Sequence, residues 1–184
     1  MLIEGGEAEK DALMTAAKLM MMAARTAPKS GGKDDILTAI LVGEEKERVV
    51  SEMKKIAAER NIPGFERDAN NTANSEIVVL IGVRGEKSYG LDCGACGFKD
   101  CKGFELAGRV EGRDFPGPTC IFKALDLGIA LGSAVKTASC LNVDNRIMYR
   151  IGTACMKLGY MPEANVVMGI PLSSTGKNIY FDRH

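Results

Sequence analysis

The sequence contains no tryptophan and one histidine among its 184 residues. That histidine, His184, is the last residue, so we assign it no role and exclude Ser-His and Cys-His hydrolases. A zinc hydrolase with histidine ligands is excluded for the same reason. Aromatic residues form only 5% of the chain, which leaves few side chains for stacking on nucleic-acid bases.

The chain also lacks an excess of either charge and any long apolar run. Its 24 basic and 24 acidic residues give a net charge of zero, so nucleic acid is not an expected partner. Residues 124–135 come closest to a membrane span, but Asp126 interrupts them. The acidic start, Met1–Glu9, has neither the basic residues nor the apolar stretch of a signal peptide. We therefore expect a cytoplasmic protein that does not bind membranes.

Four of the six cysteines form a pattern that is typical of a metal site. Cys93, Cys96 and Cys101 follow a C-x2-C-x4-C spacing in a glycine-rich segment, and Cys120 precedes a predicted helix. Glycines let the backbone fold back, so that neighbouring sulfurs can point to a common centre. Their N–H groups can also donate hydrogen bonds to sulfur. The four thiols are therefore candidate ligands of one centre.

Three interpretations of this pattern stay open. A glycine-rich C-x2-C-x4-C loop with a remote fourth cysteine favours an iron–sulfur cluster. A structural zinc is the second interpretation, although zinc more often uses two separated C-x2-C pairs. Disulfides are the third, and they need an oxidising compartment that nothing in the sequence indicates. The alternative function is a binding or scaffold module without enzyme activity, stabilised by a structural zinc or by a cluster.

The segment from Cys93 to Cys120 resembles the small iron–sulfur domain of corrinoid iron–sulfur proteins and of electron-transport complex subunits. The shared features are Cys-Gly-Ala-Cys-Gly, the third cysteine at Cys101, and the closing Gly-Pro-Thr-Cys. The resemblance implies a 4Fe–4S cluster that is held by the four cysteines. It also implies electron transfer with a redox partner protein or a small-molecule donor or acceptor.

Over most of its length the chain is similar to the uncharacterised ferredoxin-domain-containing proteins of anaerobic bacteria and archaea. Those proteins are themselves similar to the nitroreductase superfamily, which binds flavin. Residues 23–32 resemble the nitroreductase helix end and loop that touch the flavin ring. The candidate flavin contacts in this loop are Arg25, Lys29 and Ser30. A helix cap followed by a turn is the alternative interpretation of the loop.

A second segment, residues 167–171, resembles the strand end near the flavin phosphate. By the same analogy Lys177 is the candidate partner of that phosphate, because an ammonium group suits a phosphate dianion. With FMN as a second cofactor, the protein would be an FMN- and iron–sulfur-dependent oxidoreductase. It would form a homodimer, as nitroreductases do with the flavin between their subunits.

The periodicity of apolar residues predicts an α+β fold, with a small central β-sheet packed with helices as in a nitroreductase-like sandwich. We expect residues 1–184 to form one domain that carries residues 84–120 as a Cys-rich insert. The predicted helices are 8–26, 44–61, 119–139 and 144–158, with a helical turn around 101–109. The predicted strands are 35–42, 75–83 and 165–170, and residues 65–74 are predicted as a loop.

The remaining candidate side chains are assigned structural or solvent roles. Cys155 falls in a predicted helix and Cys140 lies at the end of another, and both are expected to be small buried hydrophobic residues. Asp92, Asp100 and Asp114 flank the cysteines and are expected to be solvated charges rather than acid–base catalysts.

Overall fold

A computed structural model describes residues 2–181, in which helices pack on both faces of one antiparallel sheet. The helices are α1 Gly5–Thr26, α2 Gly43–Arg60, α3 Pro63–Ala73, α4 Cys101–Leu106, α5 Ile121–Cys140 and α6 Tyr149–Lys157. The strands are β1 Ile36–Leu41, β2 Ile77–Val83, β3 Asp144–Asn145 and β4 Val166–Ser173, in the spatial order β1-β2-β4-β3. Within these residues, none of the helices has the length and apolar character that a bilayer crossing requires.

Strand β2 lies at the centre of the sheet and is buried along its whole length. It pairs antiparallel with β1 on one side and with β4 on the other. Its side chains alternate between two cores, because successive residues of a strand point to opposite faces. Val79 and Ile81 pack with α1 and α5, whereas Val78 and Leu80 pack with α2, α3 and α6. This arrangement confirms the predicted α+β sandwich.

The helix α3 corrects the loop that the sequence predicts over residues 65–74. Pro63 occupies the first helical turn, where its missing N–H group costs nothing. Phe65 and Ala69 are fully buried four residues apart, which places both on one face of the helix. The asparagines that suggested a loop have low helix propensity. Tertiary packing of the apolar face outweighs that local preference.

The predicted helix over residues 144–158 is also corrected, because its first residues form β3 and α6 begins at Tyr149. Asp144 and Asn145 pair with the end of β4. The same register places Arg146 opposite Pro171, which has no N–H group to give to a strand ladder. Pairing therefore stops after two residues of β3, and the chain can turn into a helix.

Two glycines allow α6 to lie directly on β4. A Cβ atom at Gly152 of α6 would lie 1.7 Å from the carbonyl oxygen of Val167. A Cβ atom at Gly169 of β4 would lie 2.2 Å from Cγ2 of Ile151. Neither position has room for a larger residue, so the spacing between this helix and this strand depends on both glycines.

We predict that Gly152→Ala destabilises the fold by about 3 kcal/mol, the upper end of the usual cost of overpacking, because the clash is with backbone. The measurement is the free energy of unfolding by urea. The matched control is Gly128→Ala in α5, where a Cβ atom meets no atom within 4 Å. Alanine at that site should stabilise the helix by up to about 1 kcal/mol. Equal stability of both variants and the unsubstituted protein would contradict the prediction.

Candidate functional site

The Cys-rich segment, residues 84–120, connects β2 to α5 and carries all four candidate metal ligands. Cys93 is exposed, Cys96 and Cys101 are half-buried, and Cys120 is 5% exposed. Cys101 is the first residue of α4, which confirms the helical turn predicted there. Cys120 is the residue immediately before α5. The candidate ligands therefore come from a loop and from the starts of two helices.

Glycines fold the loop that joins Cys93 to Cys96. Gly94 and Gly97 have φ angles of +70° and +89°, in the left-handed region that favours glycine. The N–H group of Gly97 donates to the carbonyl of Gly94 over 2.9 Å and closes the turn. The sequence expectation that glycine lets this backbone fold back is confirmed.

A reciprocal pair of hydrogen bonds holds Cys101 against Asp92. The N–H group of Cys101 donates to Oδ1 of Asp92 over 2.7 Å, and the N–H group of Asp92 lies 3.3 Å from Sγ of Cys101. Backbone N–H groups that donate to cysteine sulfur stabilise thiolate ligands and tune the metal they bind. This sulfur therefore already has one such donor.

The acidic neighbours of the cysteines have structural partners, which corrects their expected role as solvated charges. Asp92 holds Cys101 as described above. Asp100 accepts a hydrogen bond over 2.7 Å from the N–H group of Gly103 and caps α4. Asp114 forms an ion pair with Arg60 of α2, which fastens the Cys-rich segment to the helical layer.

The four thiols are not gathered around one point. Within residues 2–181, no three Cys, His, Asp or Glu side chains converge as a metal site. The donor set nevertheless fits a soft centre, because four cysteine sulfurs are the usual ligands of iron–sulfur clusters and of structural zinc. The assignment of Cys93, Cys96, Cys101 and Cys120 as ligands thus remains a prediction.

Buried charges surround the start of α5, close to Cys120. The N–H group of Cys120 donates to the carbonyl of Gly85 over 2.9 Å. One turn further on, Lys123 is 1% exposed, and its ammonium group lies 2.5 Å from the Asp35 carboxylate, which balances its charge. Asp126 is 2% exposed and accepts hydrogen bonds over 2.8 Å from both the N–H and the hydroxyl of Ser30.

Sequence reasoning missed Lys123 and its partner Asp35. The available signal was Lys123 and Asp126, two charged residues three positions apart in the otherwise apolar first half of α5. Such residues are rarely buried unless they are paired. Their partners, Ser30 and Asp35, come from the loop between α1 and β1, so the pairing could not be identified before the fold was known.

The candidate flavin contacts at the end of α1 are engaged in holding their own loop. Lys29 donates to the carbonyl of Ala24 over 2.8 Å, and also to that of Arg25. Arg25 in turn donates to the carbonyl of Ile36 over 2.7 Å and pairs with Asp34. These contacts, together with the Ser30–Asp126 bonds, match the helix cap and turn that the sequence offered as the alternative.

The pKa of Asp34 reflects the hydrogen bonds within this loop. Partial burial favours its neutral form, but hydrogen bonds from Arg25 and from the Ile36 N–H outweigh burial and lower the pKa of Asp34. A lowered pKa in the folded state stabilises the fold at neutral pH. That contribution disappears as the pH falls through the folded-state pKa.

The remaining flavin candidates lie around β4. Residues 167–171 occupy the interior of this strand rather than its end, because β4 continues to Ser173. Lys177 is exposed in the loop after β4, and its carbonyl accepts a hydrogen bond over 2.7 Å from the Thr175 hydroxyl. His184, to which the sequence gives no role, lies outside the described residues.

The two remaining cysteines differ sharply in exposure. Cys155 in α6 is fully buried, and burial raises the pKa of its thiol to about 12. This confirms its expected role as a small hydrophobic residue. Cys140, the last residue of α5, is exposed, so the same expectation is wrong for it. The end of a helix is reached by solvent even where the rest of the helix packs inward.

We predict that iodoacetamide at pH 8 modifies Cys140 well before Cys155, which stays unmodified until the protein unfolds. The reason is that iodoacetamide reacts only with a thiolate that it can reach. Cys155 is buried, and its thiol stays protonated at this pH. Mass spectrometry of digested protein, after a short pulse of reagent, gives the modified fraction of each cysteine. Equal modification of both in native buffer would contradict the placement of Cys155 in the core.

Solved structures of nitroreductase-like proteins share this fold. A nitroreductase with bound FMN from Bacteroides fragilis has a TM-score of 0.57 and 11% identity, over 96% of this chain and 80% of that chain. A nitroreductase-like family protein from Bacillus cereus has a TM-score of 0.56 and 8% identity, over 97% and 78%. The NADPH:FMN oxidoreductase of Vibrio harveyi has a TM-score of 0.54 and 12% identity, over 89% and 60%. The protein therefore has a nitroreductase-like fold.

Sequence comparisons identify the family within that fold. A protein of Archaeoglobus fulgidus, described as uncharacterized, is 47% identical over 183 residues, which are 100% of this chain and 98% of that protein. The family model described as "Uncharacterized protein containing a ferredoxin domain (DUF2148)" matches residues 116–183, a span that includes Cys120. The chain belongs to this family of ferredoxin-domain-containing proteins.

Proposed function

We propose that the protein is an iron–sulfur electron-transfer protein in which Cys93, Cys96, Cys101 and Cys120 hold a 4Fe–4S cluster. The observation that carries the proposal is the hydrogen-bonded C-x2-C-x4-C loop, in which the Asp92 N–H faces the sulfur of Cys101. The ferredoxin domain in the description of the family supports the same chemistry. A cluster of this kind would exchange one electron at a time with a redox partner.

The residues around the ligands have defined tasks in this proposal. Asp92 orients Cys101 and donates to its sulfur, while the turn at Gly94 and Gly97 brings Cys93 back towards Cys96. Cys120 directly precedes α5, so the partial positive charge at the start of this helix would stabilise the negative charge of a bound cluster. Exposure of Cys93 keeps one side of the site at the surface, within reach of an electron donor or acceptor. We propose a reducing cytoplasm as its location, because thiolate ligands persist there.

We predict that anaerobically purified protein is brown, with a broad visible absorption that dithionite bleaches. Replacing Cys93, Cys96, Cys101 or Cys120 singly by serine should lower the bound iron and the absorption at least several-fold, because a ligand is lost. Cys140→Ser is the matched control and should retain both. The measurements are absorption spectra with iron and sulfide analyses on each variant.

The outcome that would overturn the proposal is a colourless protein that takes up no iron and sulfide on anaerobic reconstitution. One zinc per chain in that protein would support the metal-stabilised binding module instead. Loss of colour in Cys140→Ser, with retention in Cys101→Ser, would overturn the ligand assignment.

FMN is the second cofactor that we propose, which would make the protein an oxidoreductase. The proposal is supported by the fold it shares with FMN-binding proteins. Arg25 and Lys29 have their charges committed to Asp34 and to carbonyl groups at the end of α1. Lys177, the fourth candidate, is exposed in the loop after β4, and we propose it as the phosphate contact because an ammonium group suits a phosphate dianion.

We also propose a homodimer through the outer face of α1. An apolar groove of about 460 Å³ lies between the ends of α1 and α5, with the exposed Met22 on its rim. A second groove of about 450 Å³ continues along α1 towards its start and shares Leu19 and Leu141 with the first. The first half of α1 is mainly acidic, while Lys18 and Arg25 lie in its second half. An antiparallel pair of α1 helices would place opposite charges together.

We predict a mass of two chains in light scattering and quenching of FMN fluorescence that saturates at one FMN per chain. Met22→Lys should weaken both dimerisation and FMN binding by at least tenfold, because it places a charge on the proposed contact. Leu106→Lys makes the same chemical change at an exposed residue of α4 and should change neither. A monomer that binds FMN tightly would contradict the proposed dimer. A dimer that binds no FMN would contradict the proposed flavin cofactor.

A further inference from the structure

Asn165, the residue just before β4, has a fully buried side chain that is fixed at only one end. Its backbone N–H donates to the carbonyl of Val83 over 2.8 Å, which ties it to the end of β2. Its side-chain Oδ1 accepts a hydrogen bond over 2.7 Å from the N–H group of Gly85. Its Nδ2 is buried and has no hydrogen-bond partner among residues 2–181. A buried N–H donor without an acceptor is rare in folded proteins and calls for an explanation.

Gly85 forms hydrogen bonds with both the Asn165 side chain and the backbone of Cys120. The carbonyl oxygen of Gly85 accepts a hydrogen bond from the N–H group of Cys120. The N–H group of Gly85 donates a hydrogen bond to Oδ1 of Asn165. A Cβ atom at Gly85 would lie 2.5 Å from Cγ2 of Thr119 and 3.2 Å from Cβ of Asn165. The Asn165 side chain and the residue preceding Cys120 therefore pack over the same glycine.

The chemistry of the two groups is complementary. Cys120 is 5% exposed, so its sulfur depends on the protein rather than on water for hydrogen bonds. An amide Nδ2 carries two N–H donors, whereas a cysteine thiolate is an acceptor. Oδ1 is committed to Gly85, and this bond fixes which end of the side chain is the donor.

We propose that, when Cys120 ligates the cluster, its sulfur accepts a hydrogen bond from the Nδ2 group of Asn165, which has no partner within the described residues, and that this bond raises the reduction potential of the cluster. This inference rests on the proposed iron–sulfur function and assigns a positioning and tuning residue to it. A similar contact is observed at Cys101, whose sulfur lies 3.3 Å from the backbone N–H group of Asp92. Two of the proposed ligands would then each have a protein N–H donor.

The charge of the reduced cluster determines in which direction this hydrogen bond shifts the reduction potential. Reduction adds an electron to the cluster, and an N–H donor stabilises the more negative state, so the donor raises the potential. Removing it should lower the potential. A purely structural role of Asn165 would change stability or cluster content without shifting the potential of the cluster that remains.

The test compares the midpoint potentials of reconstituted proteins by anaerobic redox titration. Asn165→Asp keeps an acceptor for the Gly85 N–H group and removes the donor, so its potential should be lower than that of the unsubstituted protein. Asn145→Asp is the matched control, because Asn145 pairs with Leu172, seven residues further along β4, or roughly 23 Å away. Its potential should stay unchanged.

Asn165→Leu, which is of similar size and adds neither a charge nor a hydrogen-bond donor, separates the loss of the donor from the added charge of Asn165→Asp, and it should also lower the potential. A third measurement needs no substitution: asparagine carrying a heavy nitrogen isotope only at its side-chain amide should give a nitrogen coupling in pulsed EPR of the reduced cluster. Unchanged potentials in the Asn165 variants, or no such coupling, would overturn this inference alone. Absence of any cluster in the unsubstituted protein would overturn the proposed function with it.

Discussion

The burial of β2 on both faces is the constraint on which the rest of the structure depends. Because each face needs its own cover, α1 and α5 pack on one side and α2, α3 and α6 on the other. The close contact of α6 with β4 through Gly152 and Gly169 belongs to the second layer. Because helices cover both faces of the sheet, the ends of the strands are where functional side chains can be exposed.

The Cys-rich segment starts at such an end. The chain leaves β2 at Val83, and within two residues Gly85 makes the hydrogen bonds that fix both Cys120 and Asn165. Lys123 and Asp126 continue the network into the first turns of α5 and tie it to the loop after α1. The candidate metal loop and the candidate flavin loop thus meet the same helix. A protein that moves electrons between a cluster and a flavin would need this proximity, because both groups must be held at fixed separation.

Much of the fold could be predicted from the sequence, and the failures have identifiable causes. The apolar run of β2 and the 3.6-residue periods of α1, α2 and α5 gave these elements within a few residues of their observed bounds. Residues 65–74 were predicted as a loop because asparagine has low helix propensity, but burial of Phe65 and Ala69 outweighs it. The start of α6 depends on pairing between β3 and β4, a long-range contact that no local pattern reveals.

The sequence by itself determined the candidate chemistry: four cysteines at a metal-ligand spacing, glycines where the backbone must turn, and no histidine besides His184 to support a hydrolase. Those features are local, since they depend on residue type and on spacing along the chain. The tertiary structure decided the surroundings of each group. It paired Lys123 with Asp35, brought the N–H group of Asp92 to the sulfur of Cys101, and brought the Asn165 amide oxygen to the N–H group of Gly85. These contacts join residues from different elements, so their energies depend on burial and on distances that exist only once the chain has folded.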